Sequence, residues 1–223
     1  IGVIGLAHYL AKNGEKYEDI GALSLTHDLI EGLQYYSILA SANLAKEKGA
    51  CAAYHETKYA KGLMPIDHYK SDVDRIHPPT YKMDWDSLRE IVKEYGMRNS
   101  TLTAQMPSES SSVVCNATNG VEPPRDYLSI KKSKKGTLKQ IVPSYTSIKN
   151  NYTLLWDMEQ MDGYLNIMAV IQKFMDQAIS TNTSYNPQHY SNNEVPATVL
   201  VGDLLKAYSL GLKTLYYQNT YDG

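Results

Sequence analysis

The stretch that most constrains this chain is residues 99–120. Residues 100–106 have the threonine and leucine content of a short buried strand. Pro107 cannot donate to a ladder, which predicts that the strand stops there. Ser108 then fits a helix N-cap, its hydroxyl placed to accept an amide proton. A strand that runs straight into a helix of short polar residues builds an anion site. Its amides point outward, its dipole favours negative charge, and the serines add hydroxyl donors. Phosphate is the natural guest. The plainer alternative is a serine-rich cap with no ligand, which is far commoner. Glu109 bears on the choice. A carboxylate repels phosphate, so it would instead support the dipole or bond a hydroxyl on the ligand.

The remaining composition excludes several classes. The chain has 223 residues and a formal net charge of -2. That length suits one large or two small domains, and that charge points to neither nucleic-acid nor membrane partners. There are 19 tyrosines and one phenylalanine. Tyrosine can replace phenylalanine in a core if its hydroxyl finds a partner, so most are expected to be structural. Cys51 and Cys115 are far apart and give no metal spacing. They read as reduced thiols in a cytoplasmic setting, with Cys115 a small buried residue. No run approaches the length of a membrane span. The apolar opening from Ile1 to Leu6 reads as a chain that begins inside a larger domain.

Periodicity predicts a short helix over 2–12, stopped by Asn13-Gly14, and a long helix over 25–48. In the long helix Leu25, Leu29, Leu33, Tyr36, Ala40 and Leu44 form the expected core stripe, and Gly49 ends it. A turn or two of helix is expected at 56–61. Residues 64–83, rich in proline and aspartate, read as a surface connection with His68 and His77 exposed. Asp84 or Asp86 should cap a helix that ends at Gly96. Strands are expected at 127–130 and 138–142, joined by the solvated lysine turn of 131–136. A helix over 162–177, a strand over 178–184, a helix over 196–210 and a strand over 212–217 complete the pattern. This alternation is that of parallel α/β architecture, in which functional residues gather at the carboxyl ends of strands. Two stretches qualify: Pro107–Ser112 and Tyr216-Tyr217-Gln218-Asn219-Thr220.

Two motifs add a resemblance. Residues 106–112, Met-Pro-Ser-Glu-Ser-Ser-Ser, followed by Asn-Ala-Thr-Asn-Gly-Val-Glu-Pro-Pro-Arg at 116–125, resemble the active-site segment of the class I ribonucleotide reductase large subunit. Leu215-Tyr216-Tyr217-Gln218-Asn219-Thr220 resembles that family's tyrosine pair. The likeness covers nearly the whole chain and is closest to the bacterial and T-even-like phage branch. It implies the C-terminal part of a ten-stranded α/β barrel with a small α/β subdomain, residues 1–223 being an incomplete domain without its N-terminal part. It implies radical reduction of ribonucleoside diphosphates at the 2′ carbon. By the same resemblance Pro107, Ser108, Glu109, Ser110 and Ser111 bind the substrate, and Tyr216 and Tyr217 carry the radical. No metal or cofactor belongs to this chain; a metal-radical cofactor is expected in a separate small subunit. The implied partners are that subunit, the N-terminal part of the large subunit, and thioredoxin or glutaredoxin acting through a C-terminal tail. The thiyl-forming cysteine has no counterpart here, so the chain is expected to be inactive alone. A rival reading from another class is a non-catalytic α/β phosphate-binding or assembly module that kept the fold.

Overall fold

The computed structural model describes residues 1–133 and 136–221. Its helices are α1 (Leu6–Lys12), α2 (Ile20–Lys48), α3 (Trp85–Tyr95), α4 (Glu109–Val114), α5 (Tyr145–Ile148), α6 (Asp162–Phe174) and α7 (Ala197–Ser209). Its strands are β1 (Leu128–Ser133), β2 (Gly136–Ile141), β3 (Thr181–Tyr185) and β4 (Leu215–Thr220). β1 and β2 pair antiparallel, so of the turn expected at 131–136 the first three residues belong to β1 and Gly136 to β2, while Lys134 and Lys135 lie outside the described residues. β3 and β4 pair in parallel, with α7 between them in sequence. The class is therefore α/β as expected, although no barrel closes among the described residues.

Local signals placed most helix ends. Asp84 caps α3 by accepting the Ser87 amide at 3.0 Å, and Gly96 ends it at φ 73°, where a side chain would be strained. α6 is the centre of the core: Leu165, Ile167, Met168, Val170, Ile171 and Phe174 are all fully buried. It stops at Phe174, three residues short of the expected end, because the Asp176 amide turns away to donate to Thr103 Oγ1 at 3.0 Å. Tyrosines do replace phenylalanine here. Tyr17 donates to the Val121 carbonyl and Tyr152 to the Pro143 carbonyl, both at 2.8 Å.

Several expectations are overturned. α2 starts at Ile20, and the predicted core stripe is only partly buried: Leu25, Leu29 and Leu33 pack half-buried against the core, while Tyr36 is 60% exposed and Leu44 40%. The buried face instead carries Thr26, His27, Ile30, Glu31, Gln34, Ile38 and Ser41. Hydrophobicity alone missed the most deeply buried face because α2 fastens loops through polar groups on the side packed against α3 and α6. Residues 64–83 are more than a surface connection. Short 3-10 turns fold them back, burying Met64, Val73 and His77. His68 remains exposed. Cys115 is exposed as well, since α4 ends at Val114 and leaves it as the C-cap.

His77 is buried because its ring packs on His27, with centroids 4.6 Å apart. His27 is 1% exposed, and burial, His77 and Lys173 pull its pKa down to about 4, against a weaker upward pull from Glu31 and Asp28. A lowered pKa means that the unfolded chain binds this proton first. The associated stability is present above the ordinary histidine pKa and is lost as pH falls towards 4. We expect about 2 kcal/mol to be lost between pH 7 and pH 5. Denaturation midpoints at the two pH values check this, and His27→Gln should flatten the difference.

Candidate functional site

The serine segment is reached by extended chain rather than by a regular strand. Between residues 100 and 106 the only ladder bridge pairs Gln105 with Ile179 in parallel. The ladder is interrupted because the Asp176 carboxylate takes backbone donors itself, the amides of Leu102 at 2.8 Å and Thr103 at 3.1 Å. Asp176 thereby sets the approach of the chain to Pro107.

Ser108 occupies the N-cap of α4, as its position in sequence implies, but its hydroxyl does not cap. It donates to the Met106 carbonyl at 3.0 Å, while the Ser108 amide donates to Asn119 Oδ1 at 3.2 Å. The hydroxyl is thus turned back on Pro107's own turn. Ser108 is buried, and Ser110 and Ser111 face solvent. Their amides, in the first turn of a helix, have no acceptor within it. After α4 the chain returns through Asn119 and Gly120, whose φ of 49° is left-handed. A Cβ there would stand 3.3 Å from Gln105 Nε2, so glycine keeps the return tight against the incoming segment.

Tyr216 and Tyr217 lie inside β4, which continues to Thr220 rather than stopping at Tyr217. Neighbouring strand residues normally point to opposite faces. Here Thr181 pairs with Leu215 and Thr183 with Gln218, so β4 carries one extra residue at this point. This bulge brings both rings together, with centroids 4.3 Å apart and planes at 58°. The rings are tilted rather than stacked, and each residue is 58% exposed. The hydrogen bond with Tyr216 raises the Tyr217 pKa, which keeps its phenol protonated at neutral pH.

One cavity of about 560 Å³ gathers these pieces. Pro107, Ser108, Glu109, Ser110 and Ser111 line it, and so does Tyr217. Tyr216 does not; it borders an apolar groove with Leu200, Val201 and Leu204 of α7. The cavity wall also includes Asn119, Glu122, Arg125, Asp126 and Asn182, none of which the residue patterns singled out. The signal available for Asn119, Glu122 and Arg125 was their place in the 116–125 motif, and for Asn182 its place in β3 beside the last parallel strand; Asp126 had none. Among the described residues Arg125 is the only lysine or arginine in this wall, which also carries the carboxylates of Glu109, Glu122 and Asp126. An anion bound here would rest on N–H and O–H donors and one guanidinium rather than on a positive field.

A second cluster has metal-ligand spacing: His27, Asp28 and Glu31. Three of its four carboxylate oxygens are already engaged. Glu31 accepts the Lys82 and Met83 amides and the Trp85 indole, and Asp28 accepts Lys82 Nζ at 2.6 Å.

A parallel strand pair, a bridge that adds a third segment to it, and a serine-rich helix start opening on one cavity define an α/β protein of barrel-wall type. A family model described as "Ribonucleotide reductase, barrel domain" matches residues 1–218. The chain is 57% identical over its whole length to the ribonucleoside-diphosphate reductase subunit alpha of Haemophilus influenzae. It is 55% identical to the ribonucleoside-diphosphate reductase 1 subunit alpha of Escherichia coli and 44% identical to the subunit alpha of Enterobacteria phage T4, again over all of this chain. It spans about 30% of the length of these relatives. This chain belongs to the ribonucleotide reductase family, within its barrel domain.

Proposed function

We propose that this chain is part of the catalytic subunit of a ribonucleoside-diphosphate reductase, binding the substrate diphosphate beside the last phenols of a radical relay. The observation that carries this reading is the single cavity shared by the serine segment and Tyr217. In it, the amides and hydroxyls of Ser110 and Ser111 hold phosphate oxygens at the start of α4. Pro107 and Ser108 set the turn that presents them. Glu109 accepts a hydroxyl of the nucleotide, and Arg125 supplies the cation. Tyr216 and Tyr217 pass a hydrogen atom between touching phenols: one O–H bond breaks as the other forms, and no bare charge is made. The oxidising equivalent comes from the metal-radical cofactor of a separate small subunit. The remainder of the large subunit completes the barrel and supplies the thiyl cysteine. Thioredoxin or glutaredoxin restores the reduced state through the subunit's tail, and the enzyme works in the cytoplasm.

Replacing both Ser110 and Ser111 with leucine tests the diphosphate site. Two hydroxyls are lost and the amides are screened, so KM for the ribonucleoside diphosphate should rise at least about tenfold, with thermal stability almost unchanged. Steady-state kinetics of the assembled reductase measure it. An unchanged KM refutes the assignment.

The outward face of α2 tests completeness. With Ile1 and Leu102 it lines an apolar groove of about 720 Å³. A groove of this kind calls for a covering partner. The isolated polypeptide should therefore self-associate, eluting well above its 25.0 kDa, and should show no turnover with the small subunit. A monodisperse, active monomer would contradict both statements.

A further inference from the structure

Two asparagines and one carboxylate tie the halves of the cavity together. On the serine side, the Ser108 amide donates to Asn119 Oδ1, and Asn119 Nδ2 donates to Glu122 Oε2 at 3.1 Å. On the tyrosine side, the Tyr217 amide donates to Asn182 Oδ1 at 3.0 Å, and Asn182 Nδ2 donates to Glu122 Oε1 at 2.6 Å. The chain of bonds runs unbroken from the start of α4 to the bulge of β4. We propose that Glu122 is a positioning residue that holds the serine segment and Tyr217 in mutual register through Asn119 and Asn182. This inference rests on the functional reading above, and it adds a residue to which that reading gives no role.

The chemistry requires a carboxylate at this point. Each asparagine has its oxygen fixed by a backbone N–H, so each must turn its NH2 towards position 122. That position then has to accept two hydrogen bonds from opposite sides, one on each oxygen. Glutamine has the same shape but presents one oxygen and one NH2. One asparagine would meet a donor, and rotating its amide would only move the clash to the backbone N–H. A protonated glutamate has a related defect. The turn that carries Asn119 and Glu122 is closed by the Glu122 amide donating to the Asn119 carbonyl at 3.2 Å, so this arm is short and stiff. Burial pushes the Glu122 pKa up and Glu109 pushes the same way, while Asn182, Arg125 and Asn119 pull it back. Tyr17 and Tyr164, packed in the adjacent core, have raised pKa values and stay neutral.

The test is a set of variants in the assembled reductase, with folding monitored by thermal melting. Asn119→Ala should raise KM for the diphosphate about fivefold with kcat within about twofold, because only the serine side is released. Asn182→Ala should lower kcat about tenfold with KM within about twofold, because only Tyr217 loses its anchor. Glu122→Gln should do both. A merely structural glutamate would lower the melting temperature without producing this split. If Glu122→Gln keeps KM and kcat near normal while the serine and tyrosine variants lose function, the register role is wrong and the site stands. If those variants are also unaffected, the functional reading fails and takes this inference with it. Should Glu122→Gln not fold, the asparagine pair decides: separate effects on KM and kcat support the link, and identical effects overturn it.

Discussion

Tyr217→Phe is expected to abolish turnover of the assembled reductase while leaving it folded and able to bind substrate. The ring is 58% exposed, so little packing depends on its hydroxyl, and stability should change by less than about 0.5 kcal/mol. The backbone amide, which is what Asn182 holds, is untouched by the substitution. The diphosphate contacts lie on α4 and should also survive. What is lost is the O–H that must give up hydrogen, and phenylalanine is too hard to oxidise in its place. A loss of at least about a hundredfold in kcat, roughly 3 kcal/mol of barrier, is expected. Tyr216→Phe should behave in the same way, because its ring is the neighbour 4.3 Å away. Single-turnover assays with bound diphosphate separate the loss of chemistry from a loss of binding. If either variant turns over at a near-normal rate, that tyrosine contributes packing only.

The largest stability effect is expected at Glu31. Its carboxylate is fully buried and serves three donors: the amides of Lys82 and Met83 and the indole of Trp85, each at 3.0 Å. These bonds fasten the loop that starts α3 onto α2. In Glu31→Ala the buried Trp85 indole and the two partly buried amides lose their acceptor, so about 3 kcal/mol should be lost. For a chain of this size that is a fall of roughly 10 °C in melting temperature. Glu31→Gln keeps one accepting oxygen and should lose less than half as much. A Glu31→Ala variant that melts within a degree or two of the parent would show that the loop is held by its apolar contacts instead.

Much of this protein was legible from neighbours in sequence. Asp84 as a cap, Gly96 as a stop and Pro107 ahead of a serine-rich helix start are decisions made within a few residues, by dihedral limits and the nearest amides. The family likewise follows from the contiguous motifs at 106–125 and 215–220, and the match over residues 1–218 agrees. Facing and register were decided elsewhere. α2 gives its most buried face to Thr26, His27, Glu31 and Gln34, and leaves Tyr36 and Leu44 exposed, because the loops it fastens offer amides and an indole that a buried Glu31 satisfies. His77 is buried because His27, on another element, offers a ring to stack on. Ser108 places its hydroxyl on Met106 because Asn119 has already taken its amide. Tyr216 and Tyr217 share a face only because β4 gains a residue against β3, an event set by the partner strand. Local sequence determines which elements form and where they end, since those energies are short-ranged. Which side each element presents depends on the donors and surfaces that distant segments bring to it, and only the tertiary structure decides that.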